Sequence, residues 1–258
     1  MIYEWIPFIA ILLTILVNYA IPLLRNTNIG NINKNRELEI SPAGYAFSIW
    51  GIIYIGLILF TLLNPCWSYL TILFFVMSCV FNSAWIISWT KQPVSVSNIY
   101  LGNVFLILIV ISLLLLWTNN LSSNLSSNLS SNKFISKCKI NTNANIIFQN
   151  IIALYLGWTI GASLLNTGIS LKSILDDKVI NHLVIGGLCL FHIGWQFYGK
   201  FISNQGSFLK DSIMVPIVGL WTSVAIYNNG NIKTKNKKLG LISILVTSIC
   251  LFFNLYNM

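Results

Sequence analysis

The chain has 258 residues, of which 56% are hydrophobic and only 8% are charged, and its mean hydropathy is +0.76. Soluble domains carry about 25% charged residues, so a soluble fold of this length would lack the polar groups needed to cover its surface. The net charge of +9 is spread over short stretches between apolar runs, without a basic stripe interleaved with aromatic residues. The composition therefore excludes a soluble domain, argues against nucleic acid as a partner and favours membrane lipids as the surroundings.

Eight apolar segments follow one another along the chain. They span residues 5–24, 45–63, 69–89, 99–117, 147–166, 183–199, 212–227 and 239–256. Most are long enough to cross a hydrocarbon core about 30 Å thick, at about 1.5 Å per residue. Because they lack the alternation of transmembrane strands, we predict an all-α, multi-pass integral membrane helical bundle. No basic residue precedes the first segment, so we expect a retained transmembrane helix and not a signal peptide.

Basic residues predict the orientation of the bundle. With eight crossings, the loops at 25–44, 90–98, 167–182 and 228–238 lie on one side and hold ten lysines and arginines. The remaining loops and both termini hold five. The positive-inside rule places the ten in the cytosol and both termini outside.

Residues 118–146 form the least regular stretch, and they contain three copies of an Asn-Leu-Ser-Ser unit. We expect a low-complexity loop that packs against nothing. The repeats also create sequons at Asn120, Asn124 and Asn128. Glycosylation of an external loop is one interpretation, and simple repeat expansion is the alternative that we favour.

The second apolar segment begins unusually, with "SPAGYAFSIWGIIY" from Ser41 to Tyr54. Ser41 is a candidate N-cap and Pro42 suits the first turn of a helix. Trp50 and Tyr54 are four residues apart and share a helix face. Buried Trp and Tyr side chains need partners for their N–H and O–H groups, which favours an internal, partly polar cavity over lipid.

The third and fifth segments carry similar stripes of aromatic and polar residues. Asn82, Trp85 and Trp89 recur at helical spacing in the third. The Asn82 amide serves either a ligand or a hydrogen bond between helices. In the fifth segment one stripe comprises Trp158, Ala162, Leu165 and Asn166, while Gly157 and Gly161 form a separate helix–helix contact face.

Together these three segments resemble the TspO/MBR family of tryptophan-rich sensory proteins and the mitochondrial translocator protein (peripheral benzodiazepine receptor). The matching residues are Pro42, Tyr45, Phe47, Trp50 and Tyr54 in the second segment, Asn82 and Trp85 in the third, and Tyr155, Leu156, Trp158, Ala162, Leu165 and Asn166 in the fifth. The resemblance covers a five-helix core at 1–172, which includes the low-complexity loop. Residues 173–258 form an extension of about three more transmembrane helices, typical of the family's longer branch.

The resemblance implies a ligand pocket between the helices, lined by Trp50, Tyr54, Asn82, Trp85, Trp158 and Ala162. The loop after the first helix, with Arg25, Arg36 and Pro42, would cover it. Family ligands include protoporphyrin, haem, sterols and flat aromatic drugs. The segment "LLNTGISLK" lacks the tyrosine of the sterol-recognition pattern, which weighs against cholesterol. The loop arginines either meet porphyrin propionates or serve only as orientation charges.

The function expected from this resemblance is that of a membrane receptor, sensor or transport-type protein that binds a tetrapyrrole or a sterol-like molecule. The alternatives are a porphyrin-degrading enzyme and a structural or assembly protein whose aromatic residues only pack. The sequence shows no acid–base dyad and no metal cluster, so we expect no catalytic residues, no metal and no required cofactor. His192 is either a haem ligand or, as we favour, a hydrogen-bonded core histidine. A homodimer stays open.

Overall fold

The computed structural model describes residues 2–27, 38–63, 67–91, 95–129, 142–198, 213–229 and 234–256. Within these ranges only the backbone is described for residues 2–3, 120–129, 142–145 and 234–235. The described part of the chain contains eight α-helices and no strand. The all-α fold predicted from the sequence is therefore confirmed.

The eight helices follow the predicted segments in order. They are α1 (Ile6–Leu24), α2 (Ile49–Leu63), α3 (Tyr69–Trp89), α4 (Val96–Leu129), α5 (Thr142–Leu171), α6 (Asp177–Phe197), α7 (Met214–Tyr227) and α8 (Thr234–Tyr256). Two short 3₁₀ turns precede α1 and α2, at Ile2–Trp5 and Gly44–Ser48.

Seven of the described helical segments are long and apolar enough to cross a membrane, and α7 is shorter at 14 residues. The outward sides of these helices carry large apolar side chains, among them Leu16, Leu190 and Phe252, each more than half exposed. Water would not tolerate a surface of this kind, whereas lipid does. The chain is a multi-pass integral membrane protein.

Local contacts explain where some helices begin and end. Ser68 caps α3, because its side-chain oxygen accepts a hydrogen bond of 3.1 Å from the backbone N–H of Thr71. At the other end of α3, the Nη1 atom of Arg25 donates to the carbonyl of Ile87 at 2.6 Å and to the hydroxyl of Thr90 at 2.8 Å. A cation at a helix C-terminus also complements the helix dipole. Arg25 therefore ties the end of α1 to the end of α3.

The helices pack into one bundle in which α5 is the shared wall. The first helix packs on α2 and α3, α3 packs on α4, and α4 packs on α5. The far side of α5 faces α6 and α7, and α8 packs on both of these. The larger buried core lies among α1–α5 with part of α6 and α7, while a smaller core joins α6, α7 and the segment before α2. The division at residue 172 stays a prediction.

The segment before α2 differs from the sequence-based expectation. Ser41 and Pro42 do not begin the helix; a 3₁₀ turn starts at Gly44 and α2 starts at Ile49. The reason is tertiary, because the backbone of Ser41 and Ala43 is hydrogen-bonded to α7 and is held extended. The Ser41 hydroxyl accepts from the N–H of Leu38, at 3.0 Å, and caps no helix.

The end of α4 also differs. The helical backbone continues to Leu129, so it includes most of the Asn-Leu-Ser-Ser repeats, which were expected to lie in a loop from residue 118. A four-residue repeat brings each leucine back to nearly the same face of a helix, which suits helical continuation. Asn120, Asn124 and Asn128 have helical backbone, and their side chains lie outside the described residues.

Candidate functional site

Trp50 is the centre of an aromatic cluster, which comprises Phe47, Trp50, Tyr54, Trp85, Trp89, Tyr155 and Trp158. Its ring stacks on Tyr54 and on Trp85, with centroid distances of 5.5 and 6.0 Å. It meets the rings of Tyr155 and Trp158 edge-on at 5.7 and 6.5 Å. Helices α2, α3 and α5 contribute the rings around Trp50. Trp50 itself is only partly buried, so its ring keeps some accessible surface.

The cluster extends in two further directions. Trp89 stacks on Trp85 at 6.3 Å, which lengthens the row to Tyr54, Trp50, Trp85 and Trp89. Phe47, in the 3₁₀ turn, meets Trp158 edge-on at 5.7 Å. Stacked and edge-on rings at these distances stabilise one another beyond their apolar burial, so the row forms a continuous aromatic surface.

Two buried indole N–H groups in the cluster lack hydrogen-bond acceptors. Trp85 is 8% exposed and Trp158 is 3% exposed. In the part of the chain that the structure describes, neither Nε1 atom has a partner. Burying such a donor without an acceptor costs about 1–3 kcal/mol, so the cluster presents two donors that an added acceptor would satisfy.

Asn82 lies behind this cluster and is fully buried. Its Oδ1 atom accepts from the Nδ2 of Asn18 at 2.8 Å and from the hydroxyl of Tyr54 at 3.4 Å. Its Nδ2 atom donates to the hydroxyl of Tyr155 at 2.9 Å. Asn82 therefore joins α1, α2, α3 and α5, which corresponds to the interhelical hydrogen bond left open by the sequence.

The two faces of α5 point to different neighbours. Ala162, one turn beyond Trp158, is partly buried and packs on the larger core. A Cβ atom on Gly157 would lie 3.4 Å from Cβ of Val218, and one on Gly161 would lie 3.8–3.9 Å from Leu188 and Thr222. The two glycines thus lie against α7, with α6 beside Gly161, and contact between helices of the same chain occupies this face.

The residues expected in a lid separate into different places. Arg25 bonds to the end of α3, as described above, and Pro42 is buried. Arg36 lies outside the described residues. Pro42 lies in the docked segment, residues 38–48, which packs on the C-terminal helices.

Backbone and ring contacts fix the docked segment on α7. The N–H of Ala43 donates to the carbonyl of Ala225 at 2.9 Å, and Asn229 donates from Nδ2 to the carbonyl of Ser41 at 2.7 Å. The Trp221 indole N–H donates to the carbonyl of Ala46 at 3.2 Å. Its ring also meets Tyr45 edge-on, at 5.4 Å. The residues of the docked segment that make these contacts immediately precede Phe47 and Trp50 in the chain.

Side chains hold the first part of the docked segment. Leu38 and Ile40 are buried in the smaller core. Between them, one carboxylate oxygen of Glu39 accepts from the amide of Asn181 on α6 at 3.4 Å and from the amide of Asn236 on α8. A carboxylate shared by two amides on different helices links the docked segment to both.

His192 lies on α6, with its ring packed against Gly219 of α7. It is 2% exposed, and its Nδ1 atom lies 2.8 Å from the carbonyl of Leu188. A Cβ on Gly219 would come within 1.8 Å of its Nε2 atom. The second ring nitrogen thus faces the α7 backbone at close range, where a haem iron would not fit, and the core-histidine interpretation suits this geometry.

Several contributing residues were not anticipated from the sequence. Asn18 and Tyr155 complete the Asn82 network, and Trp221, Asn229 and Glu39 hold the docked segment. A polar amide inside the first apolar segment was a usable signal for Asn18, because such residues usually face protein. The partners on α7 gave no comparable local signal.

The arrangement has a definite chemical character. Aromatic faces surround Trp50, two indoles of the cluster carry N–H donors without an acceptor among the described residues, and the acids of the described chain lie outside the cluster. Such a surface suits recognition of a flat apolar molecule that carries hydrogen-bond acceptors.

Comparison with known proteins adds one match. The family model described as TSPO-like protein matches residues 4–256, which is nearly the whole chain and includes α6, α7 and α8. No curated protein and no solved structure matches the chain significantly. The aromatic stripes on α2, α3 and α5 and the length of this match lead to one conclusion: the chain belongs to the TSPO-like protein family.

Proposed function

We propose that the aromatic cluster around Trp50 binds a planar apolar ligand, of which a tetrapyrrole such as protoporphyrin or haem is the leading candidate and a sterol-like molecule the second. The protein would then act as a membrane receptor, sensor or transport-type protein. The observation that carries the proposal is a pair of indole donors, Trp85 and Trp158, which have no acceptor among the described residues and lie beside the partly accessible ring of Trp50.

Physical chemistry supports this assignment. A flat conjugated ligand gains offset stacking and edge contacts from the row of rings. An acceptor atom on it would also remove the cost of two buried donors. Asn82, whose amide oxygen and nitrogen are both hydrogen-bonded to neighbouring side chains, would position Tyr54 and the α2 face.

The proposal is tested by titrating protoporphyrin IX into the purified protein while tryptophan fluorescence is followed. The variants are Trp50→Phe and Trp158→Phe, with Trp195→Phe on α6 as the matched control. Loss of the Trp158 donor should weaken binding about tenfold, which corresponds to about 1.4 kcal/mol. Trp50→Phe should weaken it as well, and the control should bind like the wild type.

Equal, non-saturating quenching in all four proteins would contradict ligand binding and favour a purely structural role for the aromatics. Turnover is measured separately, from the absorbance of the bound porphyrin in the dark and under illumination. The receptor assignment expects constant absorbance, and steady loss would instead support the enzymatic alternative.

A further inference from the structure

Asn166 presents a second buried polar group that the packing of the helices does not explain. It lies on α5 two turns beyond Trp158 and is 4% exposed. Within the described ranges, neither its Oδ1 nor its Nδ2 atom has a hydrogen-bond partner. A carboxamide offers two donors and one acceptor, and inside a membrane protein no bulk water is present to satisfy them. An amide in this state costs stability and calls for a partner outside the helices.

A small space lies beside this amide, at Gly102 on α4. A Cβ atom built there would lie 3.5 Å from the hydroxyl of Ser88, 3.5 Å from Cε3 of Trp89 and 3.6 Å from Nδ2 of Asn166. These are ordinary van der Waals distances, so a methyl-sized group fits between α3, α4 and α5 without displacing a neighbour.

The space adjoins the aromatic row. Trp89, which borders Gly102, stacks on Trp85, and Trp85 stacks on Trp50. Trp158 and Asn166 are eight residues apart on α5, or about 12 Å along the helix axis. The amide therefore stands near the Trp89 end of the row, and the next ring along the row, Trp85, carries one of the two indole donors that lack an acceptor among the described residues.

We propose that Asn166 is a polar subsite, which takes a carboxamide or a protonated carboxylic acid at the edge of the planar ligand. Both groups pair with a carboxamide through one donated and one accepted hydrogen bond. The side chains that border the space, those of Ser88, Trp89 and Asn166, are uncharged, which favours a neutral group there over an ionised carboxylate. The subsite rests on the proposed function, since it recognises a substituent of that same ligand.

The test compares two probes that differ in polar substituents: protoporphyrin IX, which carries two carboxyl groups, and etioporphyrin I, whose substituents are all alkyl. Their dissociation constants are measured for the wild type, for Asn166→Leu and for Asn103→Leu. The control residue is hydrogen-bonded to Thr167 across the same pair of helices, at 3.1 Å. The ratio of the two constants is compared between variants, so that partitioning of each probe into detergent cancels.

Asn166→Leu is expected to shift this ratio about tenfold against protoporphyrin IX while etioporphyrin I binds as before. Its melting temperature should stay equal or rise, because an unpartnered amide is replaced by an apolar group of similar size. Asn103→Leu should lower the melting temperature and leave the ratio unchanged. Gly102→Ala, which fills the space, should shift the ratio in the same direction as Asn166→Leu.

An unchanged ratio in both Asn166→Leu and Gly102→Ala would overturn the subsite while leaving the proposed function intact. A lower melting temperature for Asn166→Leu with the ratio unchanged would assign the amide to packing. If neither porphyrin binds the wild type saturably, the proposed function itself fails, and the subsite falls with it.

Discussion

Asn18 on α1 donates a hydrogen bond of 2.8 Å to the side-chain oxygen of Asn82 on α3. This contact links α1 to Asn82, the centre of the polar network of four helices. The same Asn18 amide also donates to the carbonyl of Thr14 at 2.9 Å. The Thr14 hydroxyl in turn donates to the carbonyls of Ala10 and Cys79, at 2.9 and 3.2 Å. A polar seam therefore runs along the contact between α1 and α3, where lipid would offer no partner.

Replacement of Asn82 by leucine should destabilise the protein through this seam. The variant leaves the Asn18 amide and the hydroxyls of Tyr54 and Tyr155 without their shared partner, and we expect a loss of about 2–3 kcal/mol in the free energy of unfolding. Unfolding in mixed detergent micelles measures it. The double variant Asn18→Leu/Asn82→Leu should lose less than the sum of the single changes, and strict additivity would contradict a shared network.

Gly219 should tolerate no side chain, because His192 occupies the place of its Cβ. Gly219→Ala is expected to cost about 1–3 kcal/mol through overpacking between α6 and α7. Gly186→Ala is the matched control, since a Cβ at that position meets nothing within 4 Å. Thermal unfolding compares the two. Adding His192→Ala to Gly219→Ala should recover much of the loss, and a double variant no more stable than Gly219→Ala would rule out this steric cause.

Trp221→Phe should loosen the docked segment without removing the ring that meets Tyr45. The change deletes the N–H donor to the carbonyl of Ala46, which lies 3.2 Å away. We expect amide hydrogen exchange of residues 43–48 to rise several-fold, with exchange in α3 unchanged. Trp5→Phe, at an exposed N-terminal position, is the control. Equal exchange in Trp221→Phe and the wild type would show that the other contacts suffice to hold the segment.

The predicted orientation can be read from single cysteines in a variant whose five native cysteines are serine, at positions 66, 79, 138, 189 and 250. Glu4 lies before α1, and Ser173 lies in the exposed turn between α5 and α6. From the distribution of basic residues, we expect a membrane-impermeant maleimide to label Glu4→Cys in intact cells. The same reagent should label Ser173→Cys only after permeabilisation. The reverse pattern would invert the topology.

The helices were predictable because, in lipid, the backbone of a long apolar run has to form its hydrogen bonds within the run itself, as a helix does. The aromatic stripes of α2 and α3 were also visible, since Trp85 and Trp89 recur at helical spacing. Spacing alone shows which residues share a face of one helix. The structure shows in addition that Trp50, Trp85 and Trp158, on three different helices, form one cluster.

The start of α2 was not predictable from its residues. Ser41 and Pro42 have the chemistry of a helix start, yet the backbone of Ser41 and Ala43 is engaged by α7 and the residue just beyond it, far away in sequence. Local propensity is a weak prior that tertiary hydrogen bonds override. The role of Asn82 stayed undecided for the same reason, because an amide's partner lies on another helix.

The attachment of the docked segment to α7 has a consequence for biogenesis. The bond between Asn229 and Ser41 joins residues 188 positions apart. At roughly 5–20 residues per second, the ribosome needs about 10–40 s to make that stretch. During this interval α2 and the docked segment before it have been made, while α7, which will hold the docked segment, has not yet been synthesised. The docked segment, which leads into α2, therefore gains its contacts with α7 only late in synthesis, and a nascent chain that stalls before α7 would insert most of its helices with this segment undocked.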